Sequence, residues 1–167
     1  LMRLALQRST TARECVEVMG QLVGEYGYRS SGESYCVGDP DEAWIVEMVG
    51  PGPGGSGAHW VAIRVPDGHI GAYANLGRIG EIPSDGGKQC WHSDLDAMKS
   101  FARENGWWDG GDFIWRDVFH PATAQQKRYT ATRVWSLFRR AAPSQEFDPA
   151  YHRGAEGAEP YPLFIEP

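Results

Sequence analysis

At 167 residues, 41% of them hydrophobic and seven of them tryptophan, the chain can build one domain with a real core and is no disordered sequence. Its formal charge of −6 argues against nucleic acid or an anionic membrane as partner, since both reward clustered Lys and Arg, and it fits a small or neutral ligand. Cys15, Cys36 and Cys90 are widely spaced and lack any C-x-x-C pair, so neither a disulfide framework nor a zinc site is expected and a reducing, cytoplasmic setting is favoured. No apolar run reaches transmembrane length, and the first residues lack the order of a signal peptide.

The chain opens on Leu1, inside an amphipathic helical turn with Leu4 and Ala5. It closes on Pro160-Tyr-Pro-Leu-Phe-Ile165, an apolar, strand-like run. Both ends read as cut, and residues 1–167 read as a single partial domain, the central segment of a longer protein. Thr11-Ala-Arg-Glu14 has the spacing of a capping box and starts a helix that runs to about Tyr26. Its apolar positions Cys15, Val16, Val18, Met19, Leu22 and Val23 recur three and four apart, and Gly27 is placed to end it.

A strand from Ser34 to Gly38 and another from Ala43 to Val49 flank Asp39-Pro-Asp-Glu42, which reads as a hairpin turn. Gly50 to Gly57 is a Pro/Gly loop. It does not read as a phosphate cradle, because strand follows loop and no Lys-Ser/Thr pair appears. From Trp60 to Val65 the side chains alternate with a period of two, Pro66-Asp67-Gly68 supplies a turn, and a return strand runs from His69 to Ala74, ending on Asn75. These segments predict four consecutive strands in an antiparallel meander. Beyond Ile82, Pro-Ser-Asp-Gly-Gly breaks the sheet, and Ser93 or Asp94 caps a helix to Asn105 with Gly106 as its stop. Phe113 to Phe119 suits one or two helical turns exposing Arg116 and Asp117. Gln125 to Ala141 is a helix with Val134, Leu137, Phe138 and Ala141 on its apolar face, ended by Pro143. Residues 144–167 read as an extended tail. The whole predicts an α+β class, with helices on one side of an antiparallel sheet.

The five histidines, His59, His69, His92, His120 and His152, form no i, i+4 pair and no H-E-x-x-H motif, so no metal site is expected. Cys90 precedes a helix N-terminus, where the dipole lowers a thiol pKa, and His92 lies close in sequence; residues two apart in a loop seldom orient as nucleophile and base. The carboxylate pairs Asp94/Asp96 and Glu42/Glu47 read as solvated or capping groups and not as a glycosidase pair. Asn75 is a poor strand former and costly to bury without partners. It reads either as a turn residue helped by Gly77 or as an oxyanion-type donor. Arg133, between apolar neighbours on the final helix, is either a snorkelling surface residue or a fixed cation facing a site. Tyr73 and Arg78, flanking Asn75, complete the candidate site as substrate-binding residues.

Taken in order, Glu33-Ser34, Asp39-Pro-x-Glu-Ala-Trp44-x-x-Glu47, Trp60-Val-Ala-x-Arg-x-Pro-Asp-Gly68, Ala74-Asn75-x-x-Arg-Ile79, Gly106-Trp107 and Arg128-Tyr129 with Arg133-Val-Trp135 resemble the dipeptidase A family. That family and its secernin relatives belong to the N-terminal-nucleophile hydrolases, so the resemblance implies a four-layer αββα sandwich. It also implies a cysteine peptidase that cleaves dipeptides through an acyl-enzyme without metal or organic cofactor. In such enzymes the nucleophile is the first residue of the mature chain, and its own α-amino group serves as general base. By looser analogy with penicillin acylases and bile-salt hydrolases, Asn75 matches an asparagine of the oxyanion hole and Arg133 a helix arginine near the nucleophile. None of Cys15, Cys36 or Cys90 matches the nucleophile, which is expected upstream of Leu1, so this chain alone is expected to be inactive. An amide acylase of the bile-salt or penicillin type and a non-catalytic, secernin-like binding protein are the alternatives. The expected partners are a small peptide and the remainder of the parent chain, with self-association left open.

Overall fold

A computed structural model describes residues 1–52, 55–84 and 87–167. Two positions of the expected Pro/Gly loop, 53 and 54, and two of the expected sheet-breaking segment, 85 and 86, lie outside the described residues. In chain order the elements are helices α1 (Met2–Gln7) and α2 (Ala12–Tyr26), then strands β1 (Glu33–Gly38), β2 (Ala43–Val49), β3 (His59–Arg64), β4 (Ile70–Gly71) and β5 (Cys90–His92). Helices α3 (Leu95–Glu104), α4 (Trp115–Phe119), α5 (Ala124–Ala141) and α6 (Ala150–Arg153) follow, and β6 (Phe164–Ile165) comes last.

The helix starts follow their capping chemistry. Thr11 Oγ1 accepts the Glu14 amide at 3.1 Å, while the Glu14 carboxylate accepts from the amide and hydroxyl of Thr10, one residue earlier than a reciprocal box requires. Asp94 caps α3 by accepting the Ala97 amide, and Thr123 and Gln126 form a complete capping box on α5. Asp39 does two jobs: one carboxylate oxygen accepts the amides of Asp41 and Glu42 in the β1–β2 turn, and the other accepts the Ala12 amide at the start of α2. The expected acidic hairpin therefore forms, and it is tied to the helix packed beside it.

The expected four-strand meander does not form. The antiparallel sheet runs β1-β2-β3-β5, and β4 pairs with β6 in a separate two-stranded sheet. The free edge of β3 is taken by the chain around β5, where the Arg64 amide donates to Gln89 and the Ser93 amide to Trp60. Ile70 and Ala72 pack with Val134 and Phe138 of α5 instead. Gly71 lets the second sheet close on the first, since a Cβ there would lie 2.8 Å from Ile45 Cδ1 of β2. Nor are residues 144–167 a plain extended tail: α6 forms within them, His152 Nδ1 lies 2.9 Å from the Tyr161 hydroxyl, and Ile165 of β6 pairs with Ile70.

The α+β class holds, with one refinement to where the helices sit. Trp44, Val46, Met48 and Ala62 face outward onto α1 and α2, whereas Ile45, Val49 and Val61 face inward onto Ile79, Met98 of α3, Trp115 of α4 and Phe164 of β6. Beyond β4 and β6, a third cluster joins Ile70 and Ile165 to Ala131, Val134 and Phe138 of α5. Helices thus cover both faces of the main sheet, and the layers run helix, sheet, sheet, helix. This accounts for β2, in which every residue from Trp44 to Val49 is buried. On α5 the buried stripe is Ala131, Val134 and Phe138, while Leu137, expected on that face, is exposed. Asp117 is exposed as expected and Arg116 is half-buried.

Candidate active site

After β4 the chain passes over the inward face of the main sheet without regular structure, and Asn75 sits there with φ of 59°, the one non-glycine in the left-handed region among the described residues. Asparagine tolerates that region better than other residues with a side chain. Arg133, midway along α5, reaches across and holds this position. Its Nη1 donates to Asn75 Oδ1 at 3.0 Å, its Nη2 to the Ala74 carbonyl at 3.1 Å and its Nε to the Tyr129 carbonyl at 3.0 Å. Its guanidinium also lies 4.5 Å from the centre of the Tyr129 ring. A guanidinium only donates, so the Asn75 atom facing it must be the amide oxygen, and the NH₂ faces away. Among the described residues that NH₂ has no protein acceptor. It is a donor held at fixed orientation beside open space.

The space is a cleft of about 650 Å³ lined by Glu33, Ser34, Tyr73, Asn75, His120 and Arg133, among others. Tyr73 is half-buried, and burial together with the neighbouring Cys36 thiol holds its hydroxyl above the ordinary tyrosine range, so it stays a neutral donor. His120 caps the C-terminal end of α4. Burial pulls its imidazole below the ordinary histidine value, and its Nε2 is buried with no hydrogen-bond partner among the described residues. The ring fits between Gly32 and Gly77, where Cβ atoms would lie 2.7 and 2.4 Å from ring carbons.

Asn75 and Arg133 are therefore brought together and Tyr73 lines the same cleft, but Arg78 is not presented to it. The Arg78 guanidinium turns inward, donating to the carbonyls of Ala72, Tyr161 (3.0 Å) and Pro162 (2.6 Å) over the Phe138 ring. Burial pulls it down to about 10, which leaves it charged at neutral pH. Cys90 is buried in the inner core with Val61 and Ile79, and the His92 ring lies against the Ser93 carbonyl at 2.7 Å. Cys15 is buried on the packed face of α2, and Cys36 is exposed on β1.

Glu47 departs most from the sequence reading. Glu42, read as a solvated or capping group, is instead mostly buried, with its side chain 14% exposed, and is paired with Arg13 and Arg64. Glu47 is fully buried. One of its oxygens accepts the main-chain amides of Arg78 at 2.7 Å and Ile79 at 3.3 Å, and the other accepts the Trp115 indole N–H at 2.9 Å. Burial outweighs those donors and pushes the carboxyl up to about 7. The signal was in the strand pattern, for residue 47 shares the face of Ile45 and Val49. For His120 the sequence carried no comparable signal.

Over residues 1–165 the chain matches Peptidase family C69. It belongs to that family. The C69 chain is 30% identical over 138 residues to the probable dipeptidase B of Lactococcus lactis subsp. lactis (strain IL1403), covering 81% of this chain and 27% of that protein. It is 29% identical over 147 residues to a probable dipeptidase of Latilactobacillus sakei, covering 87% of this chain and 29% of that protein. With a probable dipeptidase of Salmonella dublin it shares 26% identity over 162 residues, covering 94% of this chain and 33% of that protein. The C69 chain thus spans a third or less of the length of these relatives. Among its described residues, no helix is long and apolar enough to cross a membrane, and no cluster of three or more His, Cys, Asp or Glu is placed to hold a metal ion.

Proposed function

We propose that the protein containing these residues is a cysteine-type dipeptidase acting through an acyl-enzyme, and that this chain supplies the donor for the oxyanion. The reading rests chiefly on the Arg133–Asn75 bond, which leaves the Asn75 NH₂ aimed away from its partner and beside the cleft. The nucleophile is a cysteine thiolate from outside residues 1–167, with its own α-amino group as base. Cys15 and Cys90 are in apolar cores, and Cys36 is not among the residues lining the cleft.

In this reading the thiolate attacks the peptide carbonyl carbon, and the carbonyl π electrons move onto oxygen, where the Asn75 NH₂ donates to the new charge. Collapse of the tetrahedral species expels the amine of the second residue, which takes its proton from the α-ammonium. Water then hydrolyses the thioester. Arg133 prevents the Asn75 amide from rotating, so no reorganisation is needed as charge develops.

The test is dipeptide hydrolysis by the complete protein and its Asn75→Ala variant, with acyl-amides run alongside as competing substrates. The expected outcome is a loss in kcat of about 10²–10³-fold with little change in KM. Unchanged kcat in the variant would end Asn75's role, and preference for acyl-amides would end the dipeptidase reading.

A further inference from the structure

We infer that Glu47 is a positioning residue that fixes Asn75 from below, through the main-chain amides of Arg78 and Ile79. The inference rests on the role proposed for Asn75. Among the described residues, no helix or strand lies between Gly71 and Cys90, so the amides that follow Asn75 have no ladder to join. Glu47 takes that place, receiving Arg78 N at 2.7 Å and Ile79 N at 3.3 Å on one oxygen. The other oxygen is anchored by the Trp115 indole of α4, and α4 also ends on His120, packed against Gly77. The chain passes directly over the carboxylate, since a Cβ on Gly77 would lie 2.9 Å from Glu47 Oε2.

Asn75 is therefore gripped on both sides by different layers. Arg133 of the outer helix holds the carbonyl before it, and Glu47 of the main sheet holds the amides after it. A buried carboxylate is a poor device for stability alone, because an apolar residue in its place avoids the desolvation penalty. Three converging donors make it a good device for fixing a loop. A donor displaced by about 1 Å loses on the order of 10²-fold in rate, so the geometry of this segment matters to turnover.

The experiment is a kinetic cycle in the complete protein with Glu47→Gln, Asn75→Ala and both together. Glu47→Gln is expected to lower kcat roughly 10- to 100-fold with KM within about twofold, and to lower it less than about twofold in the Asn75→Ala background. If Glu47→Gln leaves kcat intact while Asn75→Ala loses it, the positioning role is overturned and the proposed function stands. Equal losses in both backgrounds also overturn it, because Glu47 would then act on the fold and not through Asn75. If Asn75→Ala itself keeps full kcat, the underlying reading fails first. Should Glu47→Gln not fold, Glu47→Asp, which keeps the carboxylate but draws it back from the Arg78 and Ile79 amides, enters the cycle in its place, with the same outcomes deciding.

Discussion

Replacing Glu47 with Gln should change how stability depends on pH, and by an amount that follows from the burial of one carboxyl. In the folded protein burial raises Glu47 from 4.5 to about 7 against the opposing pull of Arg78 N, Ile79 N, the Trp115 indole and the Arg78 charge. Between those two values the folded state holds a proton that the unfolded state has released. Glu47 thus favours folding fully below pH 4.5, and the advantage is lost as pH rises through 7. At roughly 1.4 kcal/mol for each pH unit, the span is worth about 3 kcal/mol. Gln has no proton to lose, so urea unfolding of both proteins from pH 4.5 to 8 should show the variant gaining about 3 kcal/mol relative to the parent. Whatever offset exists at pH 4.5 is carried along unchanged. His59, His120 and His152, all lowered by burial, act in the opposite sense by disfavouring folding as pH falls, but they are common to both proteins and cancel in the difference. A difference flat across the range would refute the reasoning. It would mean that the three donors outweigh desolvation and keep Glu47 ionised throughout.

Two further substitutions separate the arginines. Arg133→Lys keeps the charge but not the planar fork that bonds Asn75 and Ala74 together; kcat for dipeptides in the complete protein should fall by roughly tenfold or more, and an unimpaired lysine variant would show that charge alone suffices. Arg78→Met leaves three main-chain carbonyls without their donor, so urea unfolding should show a loss of roughly 2–4 kcal/mol with KM unchanged. A raised KM at full stability would instead return Arg78 to substrate binding.

Local chemistry was legible where it acts over a few residues. The Thr11 and Asp94 caps, the Asp39 turn and the period of α2 all follow from side chains that satisfy nearby amides or face a single core. The pairing of β4 was not legible, because the Pro66-Asp67-Gly68 turn is equally compatible with a hairpin and with a chain leaving the sheet. The choice was made by residues far along the sequence. Those around β5 took the edge of β3, and Ile165 and Phe138 offered Ile70 an apolar layer. A turn sets the local direction of the chain, while the partner of a two-residue strand is set by what else can bury its side chains.

The same division explains the site. Asn75 stood out because asparagine breaks the strand pattern around it, and Arg133 because a cation interrupts an apolar helix face; each violates the local expectation for its element. Arg78 violates it too, yet its guanidinium turns to the carbonyls of the terminal segment, so an irregular residue beside a site can be a brace as readily as a ligand. Glu47 sat in plain alternation with Ile45 and Val49, and that alternation should have placed it inside. Grouping it with Glu42 treated charge as if it decided exposure. In a strand buried on both faces, periodicity outranks charge, and a carboxylate so placed must find donors where it is. The main-chain donors that Glu47 finds are those of Arg78 and Ile79, which follow Asn75. A buried carboxylate on a central strand thus points to the irregular segment that crosses it, and in this fold that segment carries the candidate oxyanion donor.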